Sequence, residues 1–149
     1  MKQLNTSKVL VVEDNDFQLS TIVNILKNNN IDYEVATNGM AALNTFESNM
    51  KENIFFTLIF MDLFMPIMNG YQSTMSIRTL EENVKCRRTY ICGLSPDISE
   101  EIKRKCKDAG MDNFMKKPTN AIELTELVSK VSKKLLDISK IDSINIENS

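Results

Sequence analysis

The 149-residue sequence contains no histidine at all. That excludes a Ser-His-Asp triad, a histidine general base and any histidine-ligated metal built from this chain. The chain also cannot supply a phosphohistidine of its own. Cysteine is scarce: Cys86, Cys92 and Cys106 are odd in number and lack CxxC spacing, so free thiols in a reducing compartment are expected rather than disulfides or a structural zinc. No apolar run approaches the ~20 residues a membrane helix needs, and the N-terminus shows no signal-peptide pattern. A cytoplasmic location without direct membrane contact follows as the expectation. Neither charge sign dominates: residues 1–75 carry 4 Lys and Arg against 8 Asp and Glu, and residues 76–149 carry 14 against 12. Neither half is basic enough to argue for nucleic acid, and the cluster Lys85, Arg87 and Arg88 reads as a solvated loop. The length fits one domain with a real core.

What is present is a regular alternation. Lys8–Val12, Asp32–Ala36, Phe56–Met61 and Thr89–Gly93 read as short buried strands, and Met111–Met115 as a thinner fifth. Between them lie amphipathic stretches. Asn15 with Gln18 three residues on starts one as a capping box, Asn38-Gly39 turns into a second over about residues 40–50, and Asn69-Gly70 opens a third running to about Asn83. Asp97 or Ser99 caps a fourth that stops at Ala109-Gly110. Asn120 and Glu123 box a fifth, whose stripe is Leu124, Leu127, Val128, Val131, Leu135 and Ile138. Five strands alternating with five helices predict a doubly wound parallel sheet covered on both faces.

In such sheets ligands bind beyond the C-terminal ends of the strands. Glu13, Asp14, Asp62, Ser95 and Lys117 all fall at or just after a predicted strand end, so five polar groups converge on one rim. Surface acids at loop starts explain any one of the three carboxylates, but three at strand ends repel one another and call for a cation. A hard divalent ion such as Mg²⁺ suits that donor set. Lys117 reaches the same rim to counter Asp62 or an added phosphoryl group, and the Ser95 hydroxyl is placed to bond a phosphoryl oxygen.

Together these residues resemble the response-regulator receiver domain. The resemblance runs over Glu13-Asp14, Met61–Pro66 with Met68–Gly70, Leu94-Ser95, and Ala109–Asn113 leading to Lys116–Pro118. Met61–Gly70 and Lys105–Asp112 are especially similar to receivers attached to hybrid histidine kinases. The resemblance implies a flavodoxin-like fold with strand order 2-1-3-4-5. It implies that Asp62 takes a phosphoryl group from the phosphohistidine of a histidine kinase or histidine phosphotransfer protein. Glu13, Asp14, Asp62 and the backbone carbonyl of Phe64 would hold Mg²⁺. Lys117 would neutralise charge on the transferring group, and Ser95 and Phe114 would act as switch residues. Output would pass through protein contacts on the face of the fourth helix, fifth strand and last helix, with a weak homodimer left open.

Two positions depart from the family pattern. Pro96 follows Ser95 and has no N–H to offer a phosphoryl group. Phe64, two residues after Asp62, cannot orient an attacking water as a polar side chain does, which points to slow self-hydrolysis. Other readings fit less well. A haloacid-dehalogenase-type phosphatase would need a second Asp at position 64, and a flavodoxin would need a phosphate loop where Glu13–Asp16 stands. A receiver-like module that binds partners without phosphorylation keeps Pro96 in its favour. The expected organisation is a leader over residues 1–7, the receiver over 8–136, and a helical extension or disordered linker over 137–149. The chain is either free-standing or part of a larger, membrane-anchored hybrid kinase.

Overall fold

The computed structural model describes residues 8–132. Five strands, β1 (Lys8–Val12), β2 (Asp32–Ala36), β3 (Phe56–Asp62), β4 (Tyr90–Ser95) and β5 (Asn113–Lys116), form one sheet. Their order is β2-β1-β3-β4-β5, with every pair parallel. Helices α1 (Asp16–Asn28), α2 (Gly39–Lys51), α3 (Gly70–Val84) and α4 (Glu100–Ala109) connect them. A fifth helix, α5, occupies residues 121–132, where the described residues end. The apolar runs of the central strands are buried on both faces, as a sheet sandwiched between helices requires. On one face Val9, Val11, Leu58, Phe60 and Leu94 pack with Ile22 and Leu26 of α1 and with Leu124 and Val128 of α5. On the other, Leu10, Ile59, Met61 and Ile91 pack with Phe46 of α2, Ile77 of α3 and Cys106 of α4.

The expected flavodoxin-like architecture is the one observed, and several boundaries differ for local reasons. Strand β5 begins at Asn113 because Met111 N–H still closes α4 on the Cys106 carbonyl, while Asp112 N–H is the first to reach β4, on Ile91. Ser99 rather than Asp97 caps α4; Asp97 N–H is already committed to the Ser95 hydroxyl oxygen at 3.2 Å. At α1 half of the expected capping box forms. The Asn15 side chain accepts from Gln18 N–H, but the Asn15 N–H donates to Glu13 Oε1 instead, leaving Gln18 Oε1 buried without a partner. At α5 Asn120 accepts from the N–H groups of Ile122 and Glu123, and a return bond from the Glu123 side chain is absent among the described residues. The complete reciprocal box stands at α3, between Asn69 and Gln72. Arg88 is not simply a solvated loop residue: it donates to Asp112 at 2.9 Å and to the Gly110 carbonyl at 3.1 Å. Leu135, Ile138, the leader and the C-terminal extension lie outside the described residues.

Candidate functional site

Strand register builds the site as a staircase. Val12 stands opposite Met61, so Glu13 and Asp62 follow side by side. Asp62 stands opposite Leu94, and Ser95 opposite Lys116, so Ser95 and Lys117 complete the step. Loop bonds fix the strand ends: Glu13 N–H donates to the Ala36 carbonyl, Leu63 N–H to Leu94 and Lys117 N–H to Ser95. Gly70 lets α3 start directly against the carrier of the carboxylate, since a Cβ there would overlap the Asp62 carbonyl oxygen.

The expected residues do come together. Oxygens of Glu13, Asp14 and Asp62 lie within 4.8 Å of one another, with Glu13 and Asp62 buried and Asp14 exposed. Lys117 Nζ sits 2.8 Å from Glu13 Oε2 and 3.0 Å from Asp62 Oδ1. The lysine therefore bridges two acids, where the sequence suggested one. The enclosed Glu13 Oε2 meets the lysine as a direct ion pair. Asp62 Oδ1 also accepts from Phe64 N–H at 3.3 Å. Burial is the main reason that the Asp62 carboxyl is pushed up from 3.8 to about 6, with the neighbouring Glu13 charge adding to it and Lys117 opposing it. The donor set tests well for a hard cation. Three carboxylates with oxygens in reach of one point match the all-oxygen coordination that Mg²⁺ takes.

The other expected residues are placed more loosely. Ser95 is buried, and its hydroxyl oxygen accepts from Asp97 N–H. Phe114 is half-buried, with Lys103 Nζ 5.6 Å over its ring. Phe64 exposes 55% of its surface and meets Tyr71 edge-on at 6.4 Å between centroids. Pro96 is exposed at the rim.

One feature of the rim escaped the sequence reading. Ile67 has φ +72 and exposes 80% of its surface, and Met68 N–H bonds back to the Pro66 carbonyl across it at 2.8 Å. This is the left-handed γ-turn, strained for any residue and most so for a β-branched one. Phe17, in the first turn of α1, is exposed to the same 80%. Only the dipeptide Pro66-Ile67 hinted at the turn, and a Gly or Asn would be the ordinary choice there.

Comparison with known proteins agrees with this geometry. The family model of the response regulator receiver domain matches residues 9–129. Hybrid signal transduction histidine kinase K of Dictyostelium discoideum is 35% identical over 125 residues, 81% of this chain and 10% of the kinase. Hybrid signal transduction histidine kinase F of the same organism is 38% identical over 124 residues, 83% of this chain and 11% of the kinase. The chain thus spans about a tenth of the length of these relatives. Among solved structures, the co-crystal of the Saccharomyces cerevisiae histidine phosphotransfer signaling protein Ypd1 with the receiver domain of its downstream response regulator Ssk1 aligns with TM-score 0.77 and 27% identity, covering 88% of this chain and 92% of that one. The receiver domain of sensor histidine kinase PA1611 from Pseudomonas aeruginosa, with a magnesium ion coordinated in its active-site cleft, aligns with TM-score 0.74 and 25% identity, covering 87% and 99%.

Proposed function

The chain belongs to the response regulator receiver domain family, and from that premise we propose that Asp62 accepts a phosphoryl group from a phosphohistidine on a partner. The observation that carries this reading is the contact of Lys117 with both buried carboxylates, Glu13 and Asp62. A cation held among acids at a strand-end rim suits the stabilisation of added negative charge. Glu13, Asp14, Asp62 and the carbonyl of Phe64 would hold Mg²⁺. When bound, that ion supplies positive charge against the phosphoryl oxygens.

In the proposed transfer, an Asp62 carboxylate oxygen attacks phosphorus and the P–N bond to the donor imidazole breaks. The bonding pair returns to the imidazole nitrogen, leaving an acyl phosphate on Asp62 and a free histidine on the partner. Lys117 follows the new charge, and the Ser95 hydroxyl leaves Asp97 N–H to donate to a phosphoryl oxygen. Pro96 contributes no N–H, so the group receives one hydrogen bond fewer from this loop. Ser95 and Phe114 then bias the α4–β5–α5 face toward its output contacts. The chain acts on no separate substrate; it promotes only its own phosphorylation and dephosphorylation.

The donor is a histidine kinase or a histidine phosphotransfer protein. Asp62 exposes only 2% of its surface, so a protein donor must press on the rim around it. Phe17, Phe64 and Ile67 present apolar surface there. The Ypd1–Ssk1 pairing of a structural relative supports a donor of this kind. The described residues include no helix long and apolar enough to cross a membrane, and membrane attachment through a larger kinase belongs to the proposal.

The test is intact mass after incubation with acetyl phosphate or phosphoramidate, with and without Mg²⁺. A gain of about 80 Da that needs Mg²⁺ and is lost in Asp62→Asn is expected for an aspartyl phosphate. No adduct in the folded protein would overturn the reading in favour of a binding module that works without phosphorylation, with Pro96 as its cause.

A further inference from the structure

A groove of about 200 Å³ separates α1 from α5 at the end of the sheet away from Asp62. Ile31, on its wall, immediately precedes β2, whose other end delivers the Ala36 carbonyl to Glu13 N–H at the rim. Ile25 and Ile31 pack against the core here yet remain partly exposed. Short side chains on α5 keep the groove open: Thr125, Ser129 and Ser132 stand across from those isoleucines, with Val128 among them. Apolar surface beside a packed core is left to water.

The positions that α5 lends to the groove recur at spacings of three and four, the rhythm of one helix face. The next positions in that rhythm are 135 and 136, and both are leucine. The described residues end at Ser132, on the edge of the groove itself. At about 1.5 Å per residue in a helix, or 3.3 Å when extended, the leucines fall within about 5–13 Å of that edge. A cavity of about 150 Å³ admits a benzene-sized group, so the groove has room for one or two aliphatic side chains.

Charge agrees with this occupant. The intervening Lys133 and Lys134 would meet the C-terminal carbonyls of α1, the negative end of its dipole, and Asp32, exposed beside Ile31. The leader starts nearby as well, since Lys8 stands opposite Asp32. Its nearest apolar residue, however, is Leu4, behind the polar Asn5, Thr6 and Ser7. A second copy would have to cover the exposed Asn28, Asn29 and Asn30 as well, to reach the roughly 1,200 Å² of a stable interface.

We propose that Leu135 and Leu136 seat in the groove between α1 and α5. Residues 133–136 thereby complete the core beyond Ser132, and the segment after them leaves the domain at the end opposite Asp62. The donor rim stays uncovered.

Methyl NMR of the full chain tests this directly. Nuclear Overhauser contacts are expected from the Ile25 and Ile31 methyls to those of Leu135 and Leu136. Contacts to Leu4 instead would give the groove to the leader, and contacts seen only between differently labelled copies would give it to a dimer. Either result overturns the proposal, as does the absence of any such contact. A second measurement is amide exchange at Asn29, Asn30 and Ile31, whose N–H groups close the end of α1. Leu135→Ser combined with Leu136→Ser should speed them about tenfold by uncovering the groove. Leu4→Ser and Ile144→Ser, outside it, should leave them unchanged. Unaltered exchange in the double variant, or an equal gain in Leu4→Ser, overturns the assignment.

Discussion

Replacing Asp62 with asparagine should make the metal-free protein more stable at neutral pH, opposite to the usual result of altering a buried residue. The carboxyl is held up at about 6, against an ordinary 3.8, chiefly by burial and then by the Glu13 charge beside it. Between those two pH values the folded state keeps a proton that the unfolded chain has released. Stability therefore falls as pH rises through that window, and the loss is complete above about 6. At about 1.4 kcal/mol per tenfold change in proton affinity, the ionised carboxylate costs the fold about 3 kcal/mol. Asparagine keeps the shape and carries no charge, while Lys117 retains Glu13 as its partner. The assay is urea unfolding in a chelator at about pH 7.5 and again at about pH 4, with the parent and Asp62→Asn side by side. The variant should gain about 2–3 kcal/mol at the higher pH, and the gap should close at the lower one. Saturating Mg²⁺ should then stabilise the parent by a few kcal/mol and the variant far less, because binding to the native state alone adds to stability. A variant that is less stable than the parent at neutral pH in chelator would refute the argument that burial of this charge opposes folding.

Lys117→Met leaves Glu13 and Asp62 buried without their shared cation, and should cost about 3–5 kcal/mol in urea unfolding, with phosphorylation from acetyl phosphate lost. Ile67→Asn relieves a β-branched residue from its γ-turn and should raise stability by about 1 kcal/mol; the same change should weaken transfer from a protein donor and leave transfer from acetyl phosphate intact. Phe64→Asn places a polar group two residues past the acceptor and should shorten the phosphoryl lifetime, read by loss of the mass adduct over time. An unchanged or longer lifetime would sink that idea.

Much of the fold was legible because its signals are local. The runs ending at Val12 and Asp62 are continuous and apolar, and only a strand buried on both faces needs that. The site was legible for a related reason: acids that end such runs are anomalous, and alternation of strands and helices sends every one of them to the same edge. The start of β5 was not, because Met111 is apolar and buried as a strand residue would be, while its backbone N–H still belongs to the end of α4. Glu13 was expected to hold a metal; that Lys117 would bridge it to Asp62 depended on a strand register that no local pattern prints.

The ion-pair cluster around Arg78, at the opposite end of the sheet, shows the limit most plainly. Arg78, Glu81, Arg88 and Asp112 are charged residues on what reads as a helix surface and two loops, and charge on such segments is ordinarily solvated. Arg78 is nonetheless enclosed, and Gly110 is the reason: its missing Cβ admits the arginine stem and turns the end of α4 back toward α3. Once inside, the guanidinium is satisfied by two carboxylates and two carbonyls; Glu81 also accepts from Thr89 N–H just before β4, and Asp112 from Ile91 N–H within it. A neutral substitution of Arg78 would strand the buried Glu81 carboxylate, which costs more than the intact pair contributes. In the proposed function the rim carries charge that a metal or phosphoryl group completes, whereas Arg78 and Glu81 at the far end satisfy theirs within the fold.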